Sequence, residues 1–223
     1  MSKQKPELVI FDMAGTTVHD AGNPVHRCLR DALASAGVAV THEQVNAVMG
    51  YPKPDAIRQL LISGSESRVQ EIHAYFVERM IAHYKTNPSV REIEGASLVF
   101  VTLRSAGIKV ALDTGFSRDI ADVIIERLGW RLLLDGSVTS DEVPRGRPHP
   151  DMVLALMARF GIASAASVAK VGDTPSDLFE GTAANCGWVI GVCEGSHTEA
   201  ELAPHPHTHL LSNITKLPAL WGI

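Results

Sequence analysis

The chain has 223 residues, 45% of them hydrophobic and 20% charged, and a formal net charge of −5. Those proportions describe a soluble globular protein of one large or two small domains with a sizeable core. No long basic run offers a nucleic-acid surface, and no stretch reaches the length of a transmembrane span.

Met1-Ser2-Lys3-Gln4-Lys5-Pro6 is polar and runs straight into a strand, which is not the pattern of a signal peptide. Leu8-Val9-Ile10-Phe11 reads as a strand buried on both faces, closed by Asp12 and the thin turn Ala14-Gly15-Thr16. A helix is expected over Val25 to Ala36 with Gly37 as its stop, then a short one capped by Thr41 and running through Val48. Met49-Gly50-Tyr51-Pro52-Lys53-Pro54 is a break, and Pro54 suits the first position of a helix over Asp55 to Leu61. Gly64 to Ser67 forms a loop before a long amphipathic helix, Val69 to Lys85, with Ile72, Phe76, Met80 and Ile81 on one side.

From Glu94 the pattern changes to alternation. Helices are expected over Gly95 to Ala106, Ser117 to Leu128, Pro150 to Phe160 and Ser176 to Ala184. Strands are expected over Ile108 to Asp113, Val168 to Val171 and Trp188 to Val192, with Leu132 to Leu134 a short apolar run and Leu210-Leu211 strand-like. Alternation of this kind argues for an α/β fold with a doubly wound parallel sheet. One strand precedes the helical block and the others follow it. The expected architecture is therefore a Rossmann-like core of residues 1–19 and 91–223 with an inserted all-helical cap of residues 20–90. Pro204-His205-Pro206-His207-Thr208-His209 reads as a surface loop rather than a metal site, since no carboxylate is interleaved. Cys28, Cys186 and Cys193 are odd in number and lack metal-type spacing, which suits a reducing cytoplasm.

Four motifs fall at the ends of expected strands. They are Asp12; Asp113-Thr114-Gly115; Gly146-Arg147-Pro148-His149-Pro150; and Gly172-Asp173-Thr174-Pro175-Ser176-Asp177. Open α/β sheets place ligands at such ends. Together the motifs offer a nucleophilic carboxylate, further carboxylates for a divalent cation, and a hydroxyl, an amide and a cation for oxyanion charge. That is the equipment of phosphoryl transfer, and hard oxygen donors suit Mg²⁺. Each motif alone has an ordinary explanation: a strand-end Asp capping a turn, a surface Arg in an ion pair, or Asp173 and Asp177 capping the next helix.

All four in this order resemble the haloacid dehalogenase superfamily over essentially the whole chain. That superfamily normally carries Asp-x-Asp in its first motif, the second Asp being a general acid/base; Ala14 stands at that position here. A methyl group cannot shuttle a proton. Phe11-Asp12-Met13-Ala14-Gly15-Thr16-Thr17-Val18 instead resembles the phosphonoacetaldehyde hydrolases, which carry Ala there and a cap lysine that forms a Schiff base with the substrate. Met49, Gly50 and Lys53 match that pattern, as do Val143-Pro144-Arg145-Gly146-Arg147-Pro148 and Lys170-Val171-Gly172-Asp173-Thr174. An amine adds to a carbonyl only when neutral. Burial and the positive end of a helix dipole both disfavour an ammonium just ahead of a helix.

The resemblance implies that Lys53 forms the imine and Asp12 takes the phosphoryl group. It implies Mg²⁺ on Asp12, the Ala14 backbone carbonyl and Asp173, with Thr114, the Gly115 amide and Arg147 on the phosphoryl oxygens. Asp177 would orient Arg147 or the water around the metal, and Met49 would pack beside Lys53. It also implies a homodimer through the cap, for which the Tyr75, Phe76 and Met80 helix would serve; a core-facing stripe explains those residues equally well. Three positions depart from the pattern: Ala56 where a His is usual, Phe116 where Tyr is expected, and Gly22 near a position where Cys occurs. The leading reading is thus a Mg²⁺-dependent hydrolase of phosphonoacetaldehyde or a close analogue. The alternatives are a phosphatase of small phosphorylated metabolites without imine chemistry, and a binding protein that has lost turnover through Ala14.

Overall fold

The structure, a computed structural model, describes residues 5–19, 22–61 and 63–223. The polar leader Met1 to Gln4 lies outside the described residues, as do Asp20 and Ala21 at the expected entry to the cap.

Six parallel strands form one sheet in the order β3-β2-β1-β4-β5-β6. They are β1 (Leu8–Phe11), β2 (Lys109–Thr114), β3 (Gly136–Thr139), β4 (Val168–Gly172), β5 (Trp188–Val192) and β6 (His209–Leu211). This is the doubly wound α/β arrangement that the alternation predicts, and β1 lies inside it because its four apolar residues are buried on both faces. Side chains alternate across the strand. Val9 and Phe11 point into the larger core, where Phe11 meets Phe100 edge-on at 5.3 Å and Phe100 meets Trp130 at 5.2 Å. Leu8 and Ile10 point the other way, against Met152, Val153 and Leu156.

Between β1 and β2 the chain makes α1 (Pro24–Ser35), α2 (His42–Asn46), α3 (Lys53–Leu60), α4 (Glu66–Thr86) and α5 (Ala96–Ser105). The chain leaves the sheet and returns to it side by side: His19 N–H donates to the Arg91 carbonyl at 3.0 Å and Ile93 N–H to the Thr17 carbonyl at 2.8 Å. Within the insertion α1 and α3 pack on α4, which lies along α6 (Arg118–Arg127) of the sheet layer. Phe76 and Met80 are fully buried in this packing, so the core-facing explanation holds for them; Tyr75 is exposed and stacks under Arg79. The remaining helices are α7 (Asp151–Phe160), α8 (Pro175–Ala183), α9 (Glu199–Leu202) and α10 (Leu217–Trp221).

Several boundaries differ from expectation. Lys53 opens α3 instead of preceding it, and Pro54 falls one place later than expected. A proline ring preorganises the first turn at either place and needs no N–H there. Helix α4 starts at Glu66, because the Ser65 side chain accepts the Arg68 N–H and caps it. Leu132 to Leu134 is a turn, and the third strand is Gly136–Thr139, too short and too polar at its start to stand out. Ser117 precedes α6 without a side-chain capping bond. Thr41 caps α2 in a reciprocal pair with Gln44, as its sequence suggests. Of the histidine-rich stretch, His209 opens β6 and His205 and His207 stand in the preceding turn.

Candidate active site

Strand register brings the first carboxylates together. Phe11 is level with Leu112 on β2 and with Val171 on β4, so Asp12, one residue on, emerges beside Asp113 and Gly172. Strand order reverses between β1 and β4, where a doubly wound sheet opens a crevice at its carboxyl ends. Asp12 is held there by its own N–H on the Val171 carbonyl, 2.9 Å.

Asp12, Ala14, Met49, Lys53, Thr114, Gly115 and Arg147 line one cavity, together with Val25, Phe116 and Ser196. Its volume is about 20 Å³, room for a single water. Asp173 and Asp177 lie fully buried beside it. The insertion closes the cavity because three glycines let its loop settle on the sheet. A Cβ on Gly115 would stand 2.6 Å from the Tyr51 carbonyl oxygen, one on Gly50 would overlap the Thr174 hydroxyl, and one on Gly146 would overlap Pro52. Lys53 is 3% exposed; it donates to the Tyr51 carbonyl at 3.1 Å and lies 5.6 Å from the centre of the Phe116 ring.

Sequence reasoning identified Arg147 but not how it is held. Its Nη1 donates to Asp12 Oδ1 at 2.6 Å and lies 3.0 Å from Asp177 Oδ1; Nη2 bonds Asp113 and Nε bonds Glu180 Oε2 at 2.9 Å. Lys170, also buried, reaches Asp113, Asp177 and Glu180. Asp113 and Lys170 stand inside sequence motifs without a role of their own there, and Glu180 stands outside every motif. A lysine inside an apolar strand was the available signal, because lysine is almost never fully buried unless paired. Donor atoms of Asp12, Asp113 and Asp177 lie within 4.8 Å of one another, but Arg147 bonds all three, so a cation already fills that space.

Asp173 is held differently. The Thr16 hydroxyl donates to its Oδ1 at 2.9 Å and the Ser196 N–H to its Oδ2 at 2.6 Å. A Cβ on Gly195 would overlap both Asp173 Oδ2 and the Gly15 carbonyl oxygen. The loop after β5 is thus a further part of the site that sequence reasoning missed. A Gly-Ser pair three residues past a buried strand is its trace.

Electrostatics separate these carboxylates. Burial pushes Asp12 up to about 7; Arg147 opposes the rise and the Asp177 and Asp173 charges add to it. Burial, then the Asp177 charge, pushes Asp173 up to about 6 against the hydrogen bonds from Ser196 and Thr16. Burial would raise Asp177 too, but Arg147, Lys170 and the Thr174 hydroxyl hold it below the usual carboxylate range. Among the described residues no ion pair reaches Asp173. Asp173, buried without a cation among the described residues, and Asp12 Oδ2, the oxygen that Arg147 does not hold, are hard donors that fit a divalent cation such as Mg²⁺.

Comparison with known proteins gives the family and the fold. The family model of haloacid dehalogenase-like hydrolases matches residues 9–190. The phosphonoacetaldehyde hydrolase of Bacillus cereus is 33% identical over 207 aligned residues, covering 86% of this chain and 77% of that protein. Among solved structures, a hydrolase from Pseudomonas syringae superposes with a TM-score of 0.87 at 19% identity, covering 97% of this chain and 99% of that one. A phosphonoacetaldehyde hydrolase-like protein from Oleispira antarctica gives 0.85 at 21% identity, covering 100% of this chain and 94% of that one.

Proposed function

The chain belongs to the haloacid dehalogenase-like hydrolase family, and from that premise we propose that it cleaves the C–P bond of phosphonoacetaldehyde or a close analogue. One observation carries the reading: Lys53 faces the Asp12, Thr114, Gly115 and Arg147 group across a single closed cavity, while Ala14 leaves the first motif without an acid. An amine opposite a phosphoryl site has a purpose when the leaving group is a carbon, which no acid at Ala14 could help to depart.

Lys53 Nζ adds to the aldehyde carbon and water leaves, giving a protonated imine. Asp12 attacks phosphorus with Oδ2, the oxygen that Arg147 does not hold, and the C–P electron pair moves into the carbon–carbon bond to give an enamine. Protonation at carbon and hydrolysis return acetaldehyde and the free lysine. A second water hydrolyses the aspartyl phosphate, so the net reaction consumes one water and yields acetaldehyde and phosphate. Thr114, the Gly115 amide and Arg147 bind the phosphoryl oxygens, and Asp177 steadies Arg147. Mg²⁺ would be held by Asp12, the Ala14 carbonyl and Asp173, and when bound it supplies charge against the phosphoryl oxygens. Residues 20–90 act as a cap, with Val25, Met49 and Phe116 screening the imine from water.

The test is borohydride reduction in the presence of phosphonoacetaldehyde, read by intact mass and peptide mapping, beside Mg²⁺-dependent phosphate release. A reduced adduct on Lys53 with phosphate release is the expected result. Turnover of phosphate esters without any adduct would replace this reading with the phosphatase one.

A further inference from the structure

Arg147 and Lys170 share three carboxylate partners, each through the same oxygen atom. Asp113 Oδ1 bonds Arg147 Nη2 and lies 2.5 Å from Lys170 Nζ. Asp177 Oδ1 lies 3.0 Å from Arg147 Nη1 and 2.9 Å from Lys170 Nζ. Glu180 Oε2 lies 2.9 Å from Arg147 Nε and 3.2 Å from Lys170 Nζ. The fourth oxygen on the guanidinium, Asp12 Oδ1, bonds Arg147 and has no ion pair with Lys170 among the described residues. Lys170 therefore stands behind Arg147, and the nucleophile stands in front.

We propose that Lys170 is a positioning residue for phosphoryl binding: it neutralises the carboxylates that grip Arg147, leaving the charge of that arginine available to a phosphoryl dianion beside Asp12. The inference rests on the phosphoryl-transfer reading of the site. Asp113, Asp177 and Glu180 are wholly out of solvent, so no water screens them. Without Lys170, Asp113, Asp177 and Glu180 would join Asp12 on one guanidinium, which would be both over-neutralised and held back from an incoming anion. Among the described residues the outer oxygens Asp113 Oδ2 and Glu180 Oε1 have no hydrogen-bond partner, so these side chains depend on the two cations. The lysine stem is held at a fixed depth: a Cβ on Gly181 of α8 would stand 2.9 Å from Lys170 Cβ. Burial and the nearby Arg147 charge work against the ammonium, yet the three carboxylates hold it above its ordinary range, so the charge is permanent.

The experiment uses the full-length protein with Mg²⁺ and inorganic phosphate as the probe, measuring phosphate affinity by calorimetry alongside kcat and KM. Lys170→Met should weaken phosphate binding at least tenfold and raise KM with it. The double variant K170M/D113N removes one cation and one anion and should recover phosphate affinity to within about threefold of wild type. A packing role for Lys170 would not be relieved by a neutral Asn. Asp113→Asn alone, isosteric and expected to fold whatever happens to K170M, should bind phosphate more tightly than wild type. Wild-type phosphate affinity in folded K170M overturns the inference, as does D113N binding that is unchanged or weaker. Failure of the wild type to bind phosphate would instead remove the phosphoryl-transfer reading and this inference with it.

Discussion

Lys53 Nζ lies 5.6 Å from the centre of the Phe116 ring, so the first residue of α3 touches the loop after β2 across the seam between insertion and sheet. Phe116 follows Thr114 and Gly115, and its own N–H donates to the Thr114 hydroxyl at 3.1 Å. One short segment thus carries two of the three proposed phosphoryl ligands and the ring that faces the amine. Lys53→Arg keeps a cation over the ring but cannot form an imine. It should abolish the borohydride adduct and lower phosphonoacetaldehyde turnover by about a thousandfold or more, roughly 4 kcal/mol of barrier. Inorganic phosphate should still bind within about threefold of wild type. An arginine variant that retained turnover would rule out the imine.

In the metal-free protein the stabilising contribution of Asp12 and Asp173 should fall as pH rises. Asp12 and Asp173 have folded values near 7 and 6, against ordinary carboxylate values near 4, so the folded state holds their protons longer than the unfolded chain does. Their contribution is complete below about pH 4 and disappears as pH passes through 6 and 7. Asp177 works in the opposite sense, but its contribution is lost only below its ordinary value, outside this window. Chemical denaturation with EDTA at pH 5.5 and 7.5 should show wild type losing roughly 3 kcal/mol relative to a D12N/D173N variant, a comparison that cancels the buried histidines, which burial pushes down and which titrate in this window in the opposite sense. Saturating Mg²⁺ should flatten that slope; an unchanged slope would argue against metal at these carboxylates.

Gly195→Ala should damage the metal site from outside the four motifs. The new Cβ collides with Asp173 Oδ2 and the Gly15 carbonyl oxygen, so the carboxylate or the first turn must shift. Mg²⁺ affinity by calorimetry should fall at least tenfold, with phosphate release falling in parallel at low Mg²⁺ and partly recovering at high Mg²⁺. Wild-type affinity would mean that the loop after β5 yields without disturbing Asp173.

Gly50→Ala probes closure. Gly50 has φ +84°, a conformation costing an L-residue about 1 kcal/mol, and its Cβ would overlap the Thr174 hydroxyl and stand 2.9 Å from Ser176 Cβ. The loop carrying Lys53 should lift from the sheet, lowering kcat/KM for phosphonoacetaldehyde at least tenfold. Mg²⁺ affinity should stay near wild type, since Asp12 and Asp173 are untouched. Unchanged kcat/KM would show that closure by this loop does not limit the reaction.

Much of the fold is legible in local pattern. The apolar run Leu8 to Phe11 reads as a strand inside a sheet, and Thr41 marks a helix start because its hydroxyl accepts the N–H three residues on; the cap at Thr174, which starts α8 at Pro175 instead of Ser176, is seen only in the structure. Short polar elements are not legible: Gly136–Thr139 is a strand because β2 offers it a free edge, not because its residues favour one. The start of α3 at Lys53 is likewise a matter of one turn, which proline signals cannot place to the residue.

The candidate groups of the site are readable in the sequence as residue types: Asp12, Thr114, Gly115, Asp173 and Asp177 stand at or just beyond apolar strands, Arg147 stands in the glycine- and proline-flanked segment before α7, and strand ends of a parallel sheet converge. The missing acid at Ala14 and the lysine at position 53 were also visible there, since both are matters of residue identity. Tertiary structure alone decided which charges meet. Asp113, Lys170 and Glu180 come from β2, β4 and α8, separated by 57 and by 10 residues, yet they surround one guanidinium. Ser196 and Gly195 reach Asp173 only because β5 lies next to β4. Ion pairing and steric fit depend on distance in space, and no spacing along a chain encodes that until strand order and register bring the ends together.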